Sequence, residues 1–179
     1  ALYGYGSVEE LSCAYPKALA SAVSDLYAPL GIAPAAPRPF FLSLEGNDGV
    51  GKTTQTRMLH ERLTDSDYSV CLTREPGGSP IAEKIRHILL STENMEMAPR
   101  AEALLYAAAR AQHVQDIIEP ALNAGQIVLC DRYVDSSIAY QGAGRNLGED
   151  QVGSVNAFAI SGVMPDLTIL LTMDPLAAL

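Results

Sequence analysis

From Phe40 onward, apolar positions form short runs separated by stretches of helical periodicity. Phe40-Phe41-Leu42-Ser43-Leu44-Glu45 predicts a buried strand, and a glycine-rich turn then leads into a helix over about Lys52 to Leu63. Tyr68 to Thr73 predicts a second strand and Ile81 to Leu90 a second helix. A long helix is expected from about Pro99 to Asn123, closed by Gly125, a residue suited to the left-handed cap position. Ile127 to Cys130 reads as a third strand, Asp135 to Gln141 as the start of a helix, Gln151 to Ile160 as another helix, and Leu167 to Leu171 as a fourth strand. Short apolar strands alternating with helices imply an α/β domain whose parallel sheet is flanked by helices on both faces.

Residues before Phe40 are patterned differently. Ser7-Val8-Glu9-Glu10 resembles a capping box, and Pro16 is suited to opening a second helix. Leu19, Val23, Leu26, Tyr27 and Leu30 recur at helical spacing, and Ala33 to Pro39 is a stiff, helix-breaking connector. The expected organisation is a helical extension with a proline-rich connector over 1–39 and one α/β domain over 40–179. No residue of the extension suggests chemistry.

Composition narrows the function. The 179 residues suit one folding domain with a sizeable core. A net charge of −9 argues against a nucleic-acid partner, which would call for a basic face. Yet Lys52, Arg74, Arg86, Arg110, Arg132 and Arg145 account for half of the twelve Lys and Arg, and all lie in segments expected to face a ligand. An acidic chain with its cations gathered in one cleft suits an enzyme acting on small anions. Cys13, Cys71 and Cys130 form neither a CxxC pair nor a metal set, which fits a reducing, cytoplasmic compartment. No apolar run has the length of a membrane span, and the first residues lack the pattern of a signal peptide.

Gly46-Asn47-Asp48-Gly49-Val50-Gly51-Lys52-Thr53 satisfies G-x-x-x-x-G-K-[ST], with a strand expected before it and a helix after it. Its glycines let backbone N–H groups turn toward phosphate oxygens, and the helix N-terminus adds partial positive charge. The loop and Thr54 are therefore expected to bind ATP, with Lys52 on the β- and γ-phosphates and Thr53 on Mg²⁺. This is the signature of a P-loop NTPase, a three-layer fold. Asp131-Arg132 directly follows the third strand, at the carboxyl edge where such sheets bind ligands. Asp131 is placed to act on the metal through water, and Arg132 to fork between donor and acceptor phosphates.

Thr73-Arg74-Glu75-Pro76-Gly77-Gly78, Leu105-Tyr106-Ala107-Ala108-Ala109-Arg110, and Asp131-Arg132-Tyr133 through Tyr140-Gln141-Gly142 resemble bacterial-type thymidylate kinase, as does Pro165-Asp166-Leu167-Thr168. The resemblance runs over about residues 40 to 179, in order and spacing. It implies transfer of the γ-phosphoryl group of Mg·ATP to dTMP, giving dTDP, by a homodimer. It also implies roles for single residues. Asp48 would hold the acceptor's 3′-hydroxyl, while Arg74 and Arg86 grip its phosphate. Tyr106 would stack on thymine where the family usually has Phe. Arg110, Ser137 and Gln141 would line the base pocket, and Tyr140 would sit where a ribose 2′-hydroxyl would protrude. Tyr106 with Arg110, and Ser137 with Gln141, are each i and i+4, so each pair shares a helix face.

Two features depart from the family pattern. One subgroup carries an arginine inside the P-loop, where this chain has Gly49; glycine-type members supply cations from a lid after the fourth strand, which would begin beyond Leu179. The amino-terminal extension is the second departure. Two alternatives stay open at this point. One is a deoxynucleoside kinase, whose hydroxyl acceptor would want a carboxylate base, with Glu75 as the candidate. The other is a nucleotide-binding fragment without catalysis.

Overall fold

The structure is a computed structural model that describes residues 38–172. The expected amino-terminal helices and nearly all of the connector, with Cys13, lie outside the described residues. Four strands, β1 (Phe40–Gly46), β2 (Val70–Arg74), β3 (Ile127–Asp131) and β4 (Leu167–Leu171), form one sheet in the order β2-β3-β1-β4. Every pairing is parallel, as helical crossovers between strands require.

Side-chain alternation on β1 explains why apolar residues occupy both of its faces. Phe40, Leu42 and Leu44 enter one buried cluster with Ile127 and Leu129, against which Leu59 and Leu63 pack. Phe41 points to the opposite face, into a cluster with Val114, Ile118, Val128, Cys130, Tyr133 and Ile160. Both faces are thus covered, and Ser43 and Glu45, the polar side chains that share the face of Phe41, are buried as well. Cys130 is a buried core thiol, and Cys71 packs half-buried against the same cluster.

Helix α1 (Lys52–Thr64) follows the P-loop, and α2 (Pro80–Leu90) follows β2, opening on a proline at its first position. The second strand begins two residues later than expected. Asp67 adopts a left-handed φ of 63° and Tyr68 N–H bonds back to Leu63 O, so Tyr68 completes the turn instead.

The long helix expected over Pro99–Asn123 is interrupted. It comprises α3 (Pro99–His113), a wider π turn over Val114–Ile118, and α4 (Glu119–Asn123). Pro120 has no N–H to give and its ring crowds the carbonyl four residues back, so the preceding turn widens. Glu119 N–H accordingly donates to Val114 O, five residues earlier. A second π turn, Ile138–Gly144, continues the short helix α5 (Val134–Ser137), where sequence periodicity suggests an ordinary helix. Such turns gather at functional sites, and this one carries Tyr140 and Gln141. Helix α6 (Glu149–Ile160) completes the helical layer.

Gly46, the last residue of β1, has φ 140°, and a Cβ there would stand 2.3 Å from Leu171 O. Neither the conformation nor the space admits a side chain. Gly46→Ala should therefore lose on the order of 1–3 kcal/mol of stability. A thermal melt checks this; an unchanged midpoint would mean that β1 and β4 can separate without cost.

Candidate active site

The carboxyl ends of β1, β2 and β3 open onto one cavity of about 900 Å³. Its walls bring together most of the expected site residues: Asp48, Gly49, Gly51, Lys52, Thr53 and Thr54 from the P-loop and α1; Arg74 and Arg86; Tyr106 and Arg110; Asp131 and Arg132; and Ser137, Tyr140 and Gln141. Gly46, Asn47 and Val50 belong to the same loop but do not line the cavity. Arg145 also lines it.

The P-loop half is pre-assembled. Lys52 is only 6% exposed and folds back so that Nζ donates to Gly46 O at 2.8 Å and Asn47 O at 2.6 Å. Burial, and next the charge of Arg132, hold its ammonium below the usual lysine range. Thr53 Oγ1 donates to Asp131 Oδ2 at 2.8 Å, joining the two expected metal ligands. Two hard oxygen donors side by side fit Mg²⁺, which takes few protein ligands and completes its shell with water and substrate phosphates.

Arg132 sits at a left-handed φ of 75°, which costs a non-glycine residue energy and is characteristic of functional sites. Its Nη2 bonds Asp48 Oδ1, its Nη1 donates to Ser136 Oγ at 3.0 Å, and its guanidinium lies 5.3 Å from the Tyr140 ring centroid. Glu45 braces this turn from beneath. Its carboxylate accepts from Tyr133 N–H at 2.7 Å and Ser136 Oγ–H at 2.6 Å, while burial raises its pKa. Sequence reading passed over Glu45, which looked like the polar end of a strand. A carboxylate placed inside an apolar run next to a P-loop was the available signal.

Across the cavity, Arg74 pairs with Glu83 at 3.0 Å, and Arg86 Nη1 donates to Pro76 O at 2.7 Å. Burial lowers the pKa of Arg86, and the neighbouring Arg74 charge lowers it further. Two like charges held this close suit an anion between them.

The part of the cavity where the base is expected is built around Arg110, which is 3% exposed. Its Nε donates to Glu75 Oε2 at 2.6 Å, Nη1 to Ser137 Oγ at 3.0 Å and to Asn156 Oδ1, and Nη2 to Tyr133 O at 3.0 Å. Four of its five N–H groups are thus committed, leaving one on Nη2. His113 holds the other oxygen of Glu75 at 3.0 Å and meets Thr73 Oγ1 at 2.6 Å. The expectation of Arg110 as a base ligand therefore narrows to a single N–H, because the guanidinium also ties α3 to β2, α5 and α6. Glu75, the candidate base of the hydroxyl-acceptor alternative, has both oxygens occupied. Tyr106 is half-buried on the cavity wall, and burial raises its phenol pKa.

A parallel α/β sheet with a glycine loop between β1 and α1, and a carboxylate at the end of β3, defines a P-loop NTPase. A family model described as thymidylate kinase matches residues 44–179. The chain is 55% identical over 139 residues to a thymidylate kinase of Finegoldia magna, covering 78% of this chain and 68% of that one. It is 56% identical over 131 residues to a thymidylate kinase of Geotalea daltonii, covering 73% of this chain and 61% of the relative. A crystal structure of thymidylate kinase from Ehrlichia chaffeensis superposes with a TM-score of 0.72 at 38% identity, covering 79% of this chain and 81% of that one. The chain belongs to the thymidylate kinase family, and it spans 61–68% of the length of these two relatives.

Proposed function

We propose that this chain carries out its family's reaction, in-line transfer of the γ-phosphoryl group of ATP to the phosphate of dTMP, giving dTDP and ADP. The observation that carries this reading is the cavity's two sets of cations. Lys52 and Arg132 line it with the P-loop and the end of β3, and Arg74 and Arg86 line it from the end of β2 and from α2. The acceptor phosphate is already anionic, so the site needs alignment and positive charge more than a base.

In this reading the P-loop amides and Lys52 receive the ATP phosphates, with Thr54 beside them. Lys52 would leave the carbonyls of Gly46 and Asn47 for phosphate oxygens. Thr53 and Asp131 would hold Mg²⁺, which when bound with ATP neutralises charge on the β- and γ-oxygens. Arg132 spans donor and acceptor, and Asp48 orients the acceptor's 3′-hydroxyl. Arg74 and Arg86 fix the acceptor phosphate. Tyr106 stacks on thymine, with the remaining N–H of Arg110, and Ser137 and Gln141, at the base edge. Tyr140 closes the space beside C2′, disfavouring a ribose. The same proposal includes a homodimer in the cytoplasm. Among the described residues no helix is long and apolar enough to cross a membrane.

The sequestration of Glu75, the carboxylate expected to take the hydroxyl proton, weighs against a nucleoside acceptor. A coupled ADP-release assay over dTMP, dUMP, dCMP, dGMP, dAMP and thymidine tests the reading. Turnover should be highest with dTMP and negligible with thymidine. Thymidine turning over as fast as dTMP would overturn the assignment of Arg74 and Arg86.

A further inference from the structure

Two strips of side chains face each other across the base side of the cavity. Glu102, Tyr106 and Arg110 lie at i, i+4 and i+8 on α3, while Ser137, Gln141 and Arg145 have the same spacing along α5, its π turn and the residue that caps it. Polar contacts join the strips at both ends. Arg110 meets Ser137 at one end, and Glu102 meets Gln141 and Arg145 at the other. Tyr106 occupies the turn of α3 between them, and all six line the cavity.

The second contact has a direction. Gln141 is 4% exposed, and its Nε2 donates to Glu102 Oε1 at 2.9 Å. Arg145 Nη2 holds the other oxygen of that carboxylate at 2.9 Å. An ionised carboxylate can only accept, whereas a carboxamide can turn either way. Glu102 therefore draws the NH₂ group of Gln141 to itself. The amide oxygen receives no hydrogen bond among the described residues, and it is not sealed in the interior, which leaves it the cavity.

We propose that Glu102 is a positioning residue for base specificity, fixing the Gln141 carboxamide so that its oxygen faces the substrate as an acceptor. An acceptor there suits a pyrimidine whose N3 carries a proton, as in thymine and uracil. It opposes cytosine, whose N3 presents a lone pair. The proposal rests on the reading of this pocket as the base site. A site built to hydrogen-bond a substrate group rejects an analogue lacking it by on the order of 10⁴ or more, against about 10² for shape alone. If position 102 offers a carboxamide, Gln141 can turn its NH₂ group toward the cavity, and that discrimination falls.

The experiment measures equilibrium binding of dTMP, dUMP and dCMP to the unmodified chain, E102Q and E102A, with a thermal melt of each. E102Q is isosteric, and E102A removes any partner for the amide. The unmodified chain should favour dTMP and dUMP over dCMP. In both variants the ratio of dCMP to dTMP dissociation constants should fall at least about tenfold, with ATP affinity within about twofold of the unmodified chain. A merely structural role would weaken all three pyrimidine nucleotides together and leave the ratio intact; that result overturns the proposal. Equal binding of dTMP and dCMP by the unmodified chain would instead remove the pocket reading on which it rests.

Discussion

Lys52→Ala and Arg132→Gly should each lower phosphoryl transfer by about two to three orders of magnitude while the fold survives. Removing one donor that meets developing charge in a transition state typically costs 10²–10³ in rate. Lys52 donates to two loop carbonyls and pairs at 3.9 Å with the exposed Asp48, and water can serve all three after its loss. Glycine is chosen at 132 because that residue sits at φ 75°, where alanine would keep the backbone cost and glycine removes it. Arg132→Gly should therefore melt no lower than the unmodified chain, apart from its bonds to Ser136 and Asp48. Single-turnover transfer at saturating ATP and dTMP measures the chemical step. Near-normal rates in both folded variants would show that this cavity does not hold the reacting phosphates.

The second large effect concerns stability. Arg110→Ala would leave the Glu75 carboxylate buried without its cation, and Ser137, Asn156 and the Tyr133 carbonyl without their donor. Removing one partner of a buried ion pair costs about 3–5 kcal/mol. A domain of this size should lose roughly 10 °C of melting temperature. Loss of dTMP affinity in such a variant would mix a missing contact with a displaced helix. The double variant Arg110→Met with Glu75→Gln separates the two, since it removes the orphaned charge. It should recover much of the melting temperature while dTMP binding stays weak. Recovery of both would make Arg110 a strut and not a ligand, and an Arg110→Ala protein as stable as its parent would contradict the buried network altogether.

Much of the fold was legible because its signals are local. An apolar run such as Phe40–Leu44 must be buried on both faces, and a GKT after a strand has few other uses. Two pairs on the cavity wall were legible for the same reason, since i, i+4 spacing puts Tyr106 with Arg110, and Ser137 with Gln141, on one face wherever the helices go. What was not legible depends on which helix packs where. Nothing near Glu75 in sequence announces that Arg110 and His113 will take both of its oxygens. Glu45 and Ser136 are 91 residues apart, and only the pairing of β1 with β3 makes them neighbours. The π turns escaped because their causes lie in backbone geometry: Pro120 advertised a disturbance, but its form, one widened turn in a continuing helix, depends on the packing around it.

The two facing strips also constrain how this protein can change over time. Glu102, Tyr106 and Arg110 share one stripe of a single uninterrupted helix. A substitution at any one of them leaves their shared register unchanged. One residue inserted between Glu102 and Arg110 would rotate everything on one side by about 100° relative to the other, because an α-helix turns once in 3.6 residues. Half the stripe would then face solvent or the core. Mutational drift on this wall is confined to substitution, and length variation must accumulate elsewhere, as in the short connection between α2 and α3 at residues 91–98, which is largely exposed. A library of single-codon insertions and deletions scored for growth would trace the pocket as a silent interval on α3, even at positions where every substitution is tolerated.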